Sequence, residues 1–158
     1  MSKIDLPVWQ KHQRFMARAF MLAEQAFDEG EVPVGALVMH QGNIVGKGYN
    51  QVERLNDPTA HAEMLAISAA CETLSEKYLN DCTLYVTLEP CPMCAGASVW
   101  SKLGSIVFGA TDSKAGACGS LFNIASNKKL NHQVEVIQGV MEAECEHLLK
   151  QFFLEKRD

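Results

Sequence analysis

The chain has 158 residues, of which 47% are hydrophobic and 21% charged, a balance typical of one soluble domain with a full hydrophobic core. It contains no apolar run long enough to span a membrane and begins without the basic and apolar stretches of a secretory signal, so we expect a cytoplasmic protein that binds no membrane. The net charge of −5 argues mildly against a nucleic-acid partner, because such partners usually bind basic surfaces.

The charge is unevenly distributed along the chain. The acidic excess lies within residues 1–100, whereas acidic and basic residues balance within residues 101–158. If the protein binds an anionic partner, we expect the contacts to come from the later basic residues, namely Lys114, Lys128, Lys129, Lys150, Lys156 and Arg157. An ordinary solvated surface explains each of these residues equally well.

The N-terminal part of the chain predicts a helix followed by a hairpin. Apolar side chains recur at three- and four-residue steps over residues 10–29, which indicates an amphipathic helix that Gly30 ends. Two apolar runs follow at residues 34–39 and 44–49. The segment Gln41-Gly42-Asn43 between them is typical of a β-hairpin turn.

The rest of the chain alternates helices and strands. Asp57-Pro58-Thr59 supplies a capping residue and an early proline, which predict the start of a helix. Its buried stripe is expected to contain Ala62, Leu65, Ala66 and Ala69. Further elements are predicted in the order strand 83–88, helix 92–103, strand 106–108, strand 134–137 and helix 141–153, with Leu148, Leu149, Phe152 and Phe153 on the inner side of that last helix. This order favours an α/β layer architecture with a partly parallel sheet.

Two short motifs, His61-Ala62-Glu63 and Cys91-Pro92-Met93-Cys94, carry the chemistry. If Pro92 is the first residue of a helix, Cys91 is its N-cap and both thiols lie at the positive end of the helix dipole, which lowers their pKa and favours thiolates. His61 and Glu63 are expected at the start of the preceding helix, facing the space beyond its end. One imidazole and two thiolates can hold a zinc ion with its fourth position open, and a nearby carboxylate can move protons for water bound there.

Other interpretations of the cysteines stay open at this point. The chain is large, apolar and expected in a reducing compartment, so its six cysteines do not indicate a disulfide framework. The pair at positions 91 and 94 could instead be a redox pair or two buried thiols. A structural zinc site would need a fourth ligand, for which Cys71, Cys82 and His40 are candidates. Neither alternative gives Glu63 a role, which favours the three-ligand site.

With these motifs the chain resembles the cytidine/deoxycytidylate deaminase superfamily, whose zinc enzymes carry the signature H-x-E…P-C-x-x-C. Within that superfamily it is most similar to the bacterial tRNA-specific adenosine deaminases, and the similarity covers roughly residues 12–154. The matching runs lie at residues 31–36, 48–50, 57–63, 83–97, 108–110, 119–121 and 131–132. Gln133, which follows the last run, differs from the arginine usual in these enzymes.

The resemblance implies a fold, a cofactor and an assembly. The fold is a three-layer cytidine-deaminase-like α/β structure, in which helices flank a central five-stranded mixed sheet, and residues 1–158 form a single zinc-dependent deaminase domain. One zinc ion per subunit is bound by His61, Cys91 and Cys94, and Glu63 shuttles protons. The family forms homodimers in which each subunit helps to build the other's site, and the helix after Cys91 supplies much of the interface.

The resemblance also implies a substrate, the wobble adenosine (position 34) of a tRNA anticodon, which is converted to inosine. Asn50 aligns with an asparagine that hydrogen-bonds the target base, and an amide suits this task because it offers a donor and an acceptor in one plane. Val34 and the backbone of Ala62 are expected to line the purine pocket. Asp112 and His132 align with positions near the neighbours of the extruded nucleotide, although an ordinary loop carboxylate and histidine would look the same.

Two other functions are compatible with the zinc motifs. One is deamination of a free base or nucleoside, such as guanine or cytosine, by the same chemistry. The other is a zinc module or RNA-binding relative without activity, against which Glu63 argues because a structural ion needs no proton shuttle. The runs at residues 57–63 and 95–97 and the tail around Asn131 favour the tRNA enzyme.

Overall fold

The computed structural model describes residues 6–156. Its helices and strands, in chain order, are α1 (Leu6–Asp28), β1 (Gly35–His40), β2 (Asn43–Tyr49), α2 (Val52–Leu55), α3 (Ala62–Leu74), β3 (Cys82–Leu88), α4 (Pro92–Trp100), β4 (Ser105–Ala110), β5 (Glu135–Ile137) and α5 (Glu142–Lys156).

The five strands form one mixed sheet in the order β2-β1-β3-β4-β5. β1 pairs antiparallel with β2 and with β3, whereas β4 runs parallel to β3 and to β5. Gln41 and Gly42 join β1 to β2 with positive φ angles of 51° and 80°, as a two-residue hairpin turn requires. The parallel β3–β4 pair needs a crossover, which α4 provides. The predicted five-stranded mixed sheet is confirmed.

Helices cover both faces of this sheet. On one face α3 and α4 pack against alternate strand residues such as Val38, Leu84 and Ile106. On the other face α1 packs on the intervening residues, including Leu37 and Tyr85, and α5 contacts β3 and β4 on that side. Successive side chains of a strand point to opposite faces, so both cores follow from one near-continuous apolar run per strand. The predicted three layers are therefore present.

The first turn of α3 lies directly against β2, because β2 carries a glycine there. A Cβ added to Gly48 would lie 2.5 Å from the carbonyl oxygen of Ala62, well inside van der Waals contact. The small side chains of Ala62, Ala66 and Ala70 are fully buried on this side of α3. This close packing fixes where α3 begins relative to the sheet.

The predicted start of α3 is wrong. The helix begins at Ala62, with His61 as its N-cap residue, and not at Asp57. Asp57 instead accepts hydrogen bonds from the backbone N–H and the hydroxyl of Thr59, which closes a local turn before the helix. Aspartate stabilises turns and helix N-termini by the same side-chain-to-backbone bond, so the residue type alone does not distinguish them. The four-residue helix α2 precedes that turn and was not predicted.

Smaller differences concern helix ends and faces. α4 ends at Trp100, three residues before its predicted end. In α3 Glu63, Ile67 and Ala70 are buried, whereas Leu65 and Ala69 of the predicted stripe are half-buried. Phe153 of α5 is 49% exposed, because the neighbouring Phe152 faces inward and packs edge-on against Phe27.

Within residues 6–156 no helix combines the length and the hydrophobicity that a membrane crossing requires. Arg157, one of the basic residues considered for an anionic partner, lies outside the described residues.

Candidate active site

The two motifs meet at the N-termini of two helices. His61 is the N-cap residue of α3, and Cys91 is the N-cap residue of α4, followed by Pro92 at the first helical position. Both cap residues have extended backbone angles, and neither caps its helix with a side-chain hydrogen bond. Their side chains are therefore available to a group beyond the helix ends. Placing His61 and Cys91 at helix starts, as predicted, is confirmed.

His61, Cys91 and Cys94, which we call the metal triad, form a compact group. Their ligand atoms all lie within 4.8 Å of one another. Nδ1 of His61 is 3.6 Å from Sγ of Cys91 and 3.5 Å from Sγ of Cys94. Nitrogen and sulfur ligands of a tetrahedral zinc ion are separated by about 3.6 Å, given the usual Zn–N and Zn–S bond lengths. The donor types and their spacing both fit a zinc ion.

The alternative ligands considered for a structural ion do not join the triad. Within the described residues, the group of candidate ligand atoms contains only His61, Cys91 and Cys94. His40 and Cys82 pair with each other at the far ends of β1 and β3, away from the end of β3 that leads to Cys91. Three protein ligands leave room for a fourth, exchangeable one, which is the arrangement of catalytic zinc sites.

The two thiols differ in their pKa values. A hydrogen bond from the Cys94 thiol, followed by contact with His61, lowers the pKa of Cys91 to about 4. The same thiol–thiolate contact, together with burial and the nearby Glu63 carboxyl, raises the pKa of Cys94. The predicted fall in pKa is therefore found for Cys91 only, and its main causes are the side chains of Cys94 and His61 and not the helix terminus. A divalent cation between the sulfurs would displace the shared proton, since metal binding requires both thiolates.

Glu63 lies in the first turn of α3 and is almost completely buried, with 4% of its surface exposed. Burial raises its pKa to about 7, and only part of this effect is offset by its own backbone N–H and by His61. A carboxyl that titrates near neutral pH can both accept and release a proton under ordinary conditions. Glu63 is not among the grouped ligand atoms, so it remains available for proton transfer.

A cavity of about 310 Å³ opens beside the triad and Glu63. Its volume is at the lower end of the range for small-ligand sites. The cavity lies beyond the carboxyl ends of β3 and β4, where α/β folds place their sites. It is lined by Gly30, Glu31, Val32, Val34, Asn50, Val52, Glu53, His61, Ala62, Glu63, Leu88, Glu89, Cys91, Asp112, Ala115, Phe152 and Lys156.

Four of the five residues predicted to contact substrate line this cavity. Val34 and Ala62 are buried there, and Asn50 is 9% exposed. The Asn50 amide donates to the carbonyl of Val32 and accepts from the backbone N–H of Val52. Asn50 thus orders the chain around the cavity, and its planar amide faces a fixed direction.

Asp112, the fourth of these residues, caps a turn at the cavity. Its Oδ1 atom accepts hydrogen bonds from the backbone N–H groups of Lys114 and Ala115. The local role expected of a loop carboxylate is therefore present, and Asp112 also borders the cavity.

His132 does not line this cavity. It borders a second hollow of about 460 Å³ on the outer side of α4, together with Tyr78, Trp100 and Leu130. Its Nε2 atom lies 2.7 Å from the carbonyl oxygen of Leu103. Within one chain, His132 is thus separated from the metal triad by α4.

Two buried carboxylates at the cavity have roles that the sequence analysis missed. Glu31 accepts hydrogen bonds from the backbone N–H groups of Glu53 and Arg54, at the start of α2. Glu89 accepts bonds from Asp112, Cys118 and Ser120. The available signal was their position at the edge of an otherwise apolar run, with a proline directly after Glu89 and two residues after Glu31, but it does not identify their hydrogen-bond partners.

The basic residues are distributed over the surface. Lys114, Lys128 and Lys129 are exposed in the loops after β4, and Lys150 pairs with Glu146 one helical turn away. Of the predicted anion contacts that the structure describes, only Lys156 borders the cavity, and its ammonium group lies 5.3 Å from the ring centre of Phe152.

Comparison with known proteins agrees with this geometry. Residues 10–157 match the family described as MafB19-like deaminase. The tRNA-specific adenosine deaminase of Aquifex aeolicus is 49% identical over 144 residues, which cover 91% of this chain and 95% of that protein. A solved structure from a study of A-to-I editing by tRNA:A34 deaminases superimposes with a TM-score of 0.82 at 38% identity, covering 85% of this chain and 98% of the other.

Guanine deaminases share the fold at lower similarity. The structure of the Bacillus subtilis guanine deaminase superimposes with a TM-score of 0.62 at 33% identity, over 93% of this chain and 94% of that one. Sequence identity over nearly the full length is thus higher with the tRNA enzyme of Aquifex aeolicus. This chain belongs to the tRNA-specific adenosine deaminase family.

Proposed function

We propose that the protein is a hydrolase that deaminates the wobble adenosine of a tRNA anticodon to inosine. The observation that carries the proposal is the buried Glu63, placed beside an open His–Cys–Cys group in a chain 49% identical to a tRNA-specific adenosine deaminase. A structural metal site gives no reason to bury a carboxyl whose pKa lies near 7. A module without catalytic activity would therefore give no reason for the burial of Glu63, the residue of the site whose burial costs the most free energy.

The metal triad is proposed to hold one zinc ion per chain, through His61, Cys91 and Cys94. The proposal is supported by the types of the three donor atoms and by their separations. A zinc ion bound in this way supplies a water molecule that ionises near neutral pH. The N-termini of α3 and α4 add positive potential, which favours the thiolates and any anion that forms at the site.

Glu63 is proposed to carry the protons of the reaction. It takes a proton from the attacking water and delivers it to N1 of adenine while the C6–O bond forms. The same carboxyl then takes the proton of the new C6 hydroxyl and delivers it to the amino group as the C6–N bond breaks, so water is consumed and inosine and ammonia are produced. Burial suits both steps, because a pKa near 7 lets Glu63 accept and release the proton readily.

The cavity is proposed to bind one extruded base. Val34 and Ala62 supply apolar contacts, and the fixed amide of Asn50 reads the edge of the base. Anticodon loops already present unstacked bases, so little free energy is needed to bring one into the cavity. Lys156 at the cavity and Lys114 nearby are the proposed phosphate contacts, which makes the overall charge of −5 compatible with an RNA substrate.

The protein is proposed to act as a homodimer through the outer side of α4. Trp100 is 82% exposed there, and Tyr78 and Leu130 add further exposed apolar surface. An apolar patch of this kind marks an interaction site more often than an ordinary surface. His132 borders the same patch, so the proposed dimer would place it at the interface between the subunits.

Sedimentation of Trp100→Glu tests the assembly. A charge in the centre of the interface is expected to convert the dimer to a monomer, with loss of RNA deamination but retention of zinc. A wild-type protein that sediments as a monomer would contradict the proposed dimer.

The substrate assignment is tested by one side-by-side assay. Ammonia release is measured from an anticodon stem-loop with adenosine at the wobble position, from guanine and from cytosine. The stem-loop is expected to react fastest, and sequencing of the product should locate inosine at the wobble position. Faster release from a free base would favour the alternative function, a free-base or nucleoside deaminase that uses the same zinc site.

A further inference from the structure

We propose that Glu89 is a positioning residue, whose buried carboxylate fixes residues 112–120 as a wall of the base-binding cavity. We call this segment the downstream wall. The inference rests on the proposed function only for the identity of the substrate, since the wall and its contacts are features of the fold. It assigns a specific task to a carboxylate that takes no part in the chemistry described above.

The contacts of Glu89 converge on one short segment. Its Oε1 atom accepts hydrogen bonds from the backbone N–H of Asp112 at 3.0 Å and from the Ser120 hydroxyl. Its Oε2 atom accepts from the backbone N–H groups of Cys118 and Ser120, at 3.0 and 3.1 Å. One side chain thus binds both ends of the downstream wall, 23 to 31 residues further along the chain.

The charge of Glu89 is met by these donors. Within residues 6–156 the ion pairs are Arg54–Glu29 and Lys150–Glu146, so Glu89 has no cationic partner there. Glu89 is only 2% exposed, and an ionised carboxylate at such a site needs several donors. Four donors from the wall meet that need, and loss of even one leaves a buried group without a partner.

The wall also packs directly on the carboxylate. A Cβ added to Gly116 would lie 2.4 Å from Cδ of Glu89 and 2.5 Å from its Oε1 atom. Gly116 in turn donates a backbone hydrogen bond to Asp112, and Ala117 donates one to the carbonyl of Pro90. The absence of a side chain at Gly116 therefore lets the loop close over Glu89.

This clamp joins the wall to the metal triad. Glu89 directly follows β3 and lies two residues before Cys91. Its backbone N–H donates a hydrogen bond to the carbonyl oxygen of Ala110 at the end of β4. Asp112 and Ala115 of the wall line the cavity. The position of the cavity surface relative to Cys91 thus depends on Glu89, which predicts an effect on substrate binding and not only on stability.

The variant Glu89→Gln separates these effects. In this variant an amide NH2 group, which donates, replaces one carboxylate oxygen, which accepts. If the NH2 group takes the position of Oε1, the Ser120 hydroxyl can turn to accept from it, but the backbone N–H of Asp112 loses its acceptor. We expect KM for the stem-loop to rise roughly tenfold with kcat changed much less, because one buried donor is left unsatisfied. Zinc content per chain should equal that of the wild type.

Hydrogen exchange supplies a readout that does not require activity. Amides of residues 112–120 should exchange faster in Glu89→Gln, whereas those of α3 and β1 should not change. If the wild type deaminates no RNA, the proposed function fails. The role of Glu89 in fixing the downstream wall is then still tested by hydrogen exchange and by the KM for any free base that the protein deaminates. Glu76→Gln, an exposed substitution of the same kind, is the matched control and should behave as wild type.

Two further variants test the clamp if Glu89→Gln folds poorly. Gly116→Ala pushes on the carboxylate from the other side and should also raise KM and speed exchange in the wall. Ser120→Ala removes one donor and leaves the carboxylate intact, so its effect should be smaller. Unchanged exchange and KM in Glu89→Gln and Gly116→Ala, or a loss of zinc with an unchanged wall, would overturn the proposal.

Discussion

The metal triad and the downstream wall meet at the same cavity but are held in place by different interactions. His61, Cys91 and Cys94 are placed by local backbone structure, since each lies in the first turn or at the cap of a helix. The wall has no regular structure of its own and is fixed by a buried carboxylate far back in the chain. A site for chemistry can thus be built locally, while its shape depends on contacts distant in sequence.

This contrast predicts that variants of the two regions fail differently. Changes to the triad or to Glu63 should abolish turnover whatever the substrate. Changes to the residues that shape the cavity should alter KM and the choice of substrate while zinc stays bound.

The largest effect is expected for Cys94→Ala. Removal of one of three protein ligands should release the zinc ion and reduce deamination to background, because two ligands seldom retain it. Metal content by plasma emission spectroscopy and inosine formation should fall together. Cys145→Ala is a suitable control, since that buried thiol lies in α5 and belongs to no ligand group. Full zinc content in Cys94→Ala would show that the triad is not the metal site.

A smaller effect is expected for Asn50→Ala. Loss of the amide should lower kcat/KM by about tenfold or more, since it removes a contact to the base and leaves the Val32 carbonyl and Val52 N–H without partners. Asn50→Asp keeps an oxygen that can accept from the Val52 N–H but loses the NH2 group that donates to Val32. This variant therefore separates the role of Asn50 in ordering the chain from its role in recognising the base. Equal kcat/KM for all three proteins would remove Asn50 from the substrate site.

These regions also differ in how far their sequences predicted them. The triad could be predicted because Pro92 is a local signal of a helix start and because the two short motifs match the signature of the zinc deaminases. Asp57 was misassigned because the same residue type closes turns and caps helices. Glu89 was not identified because its partners lie 23 to 31 residues away, and no local pattern records such a pairing. The four-residue α2 is too short to show periodicity.

The smallest effect concerns the opposite face of the sheet, away from the cavity. His12 of α1 is buried and forms a 2.7 Å hydrogen bond with Tyr85. Burial, and to a smaller extent the charge of Lys11, lowers the pKa of His12, whereas Glu135 raises it. The unfolded chain therefore binds this proton more readily, so stability should decline as the pH falls below about 6.5. Urea unfolding between about pH 8 and pH 5, roughly 1.5 units either side of the usual histidine pKa, measures this decline in stability.

His12→Gln provides the comparison for that experiment. The variant should be less stable at pH 8 but should lose less stability on acidification, with zinc binding unchanged. Parallel pH profiles for the two proteins would mean that other groups govern the acid response.

The central claim is that Glu63 moves protons at a metal site that it does not help to form. The direct test is zinc content measured together with inosine formation for Glu63→Ala on the anticodon stem-loop. We predict wild-type zinc content and a loss of turnover of at least about 100-fold, as expected for removal of a general acid–base residue. Loss of zinc with surviving activity, or full activity in the variant, would contradict this account.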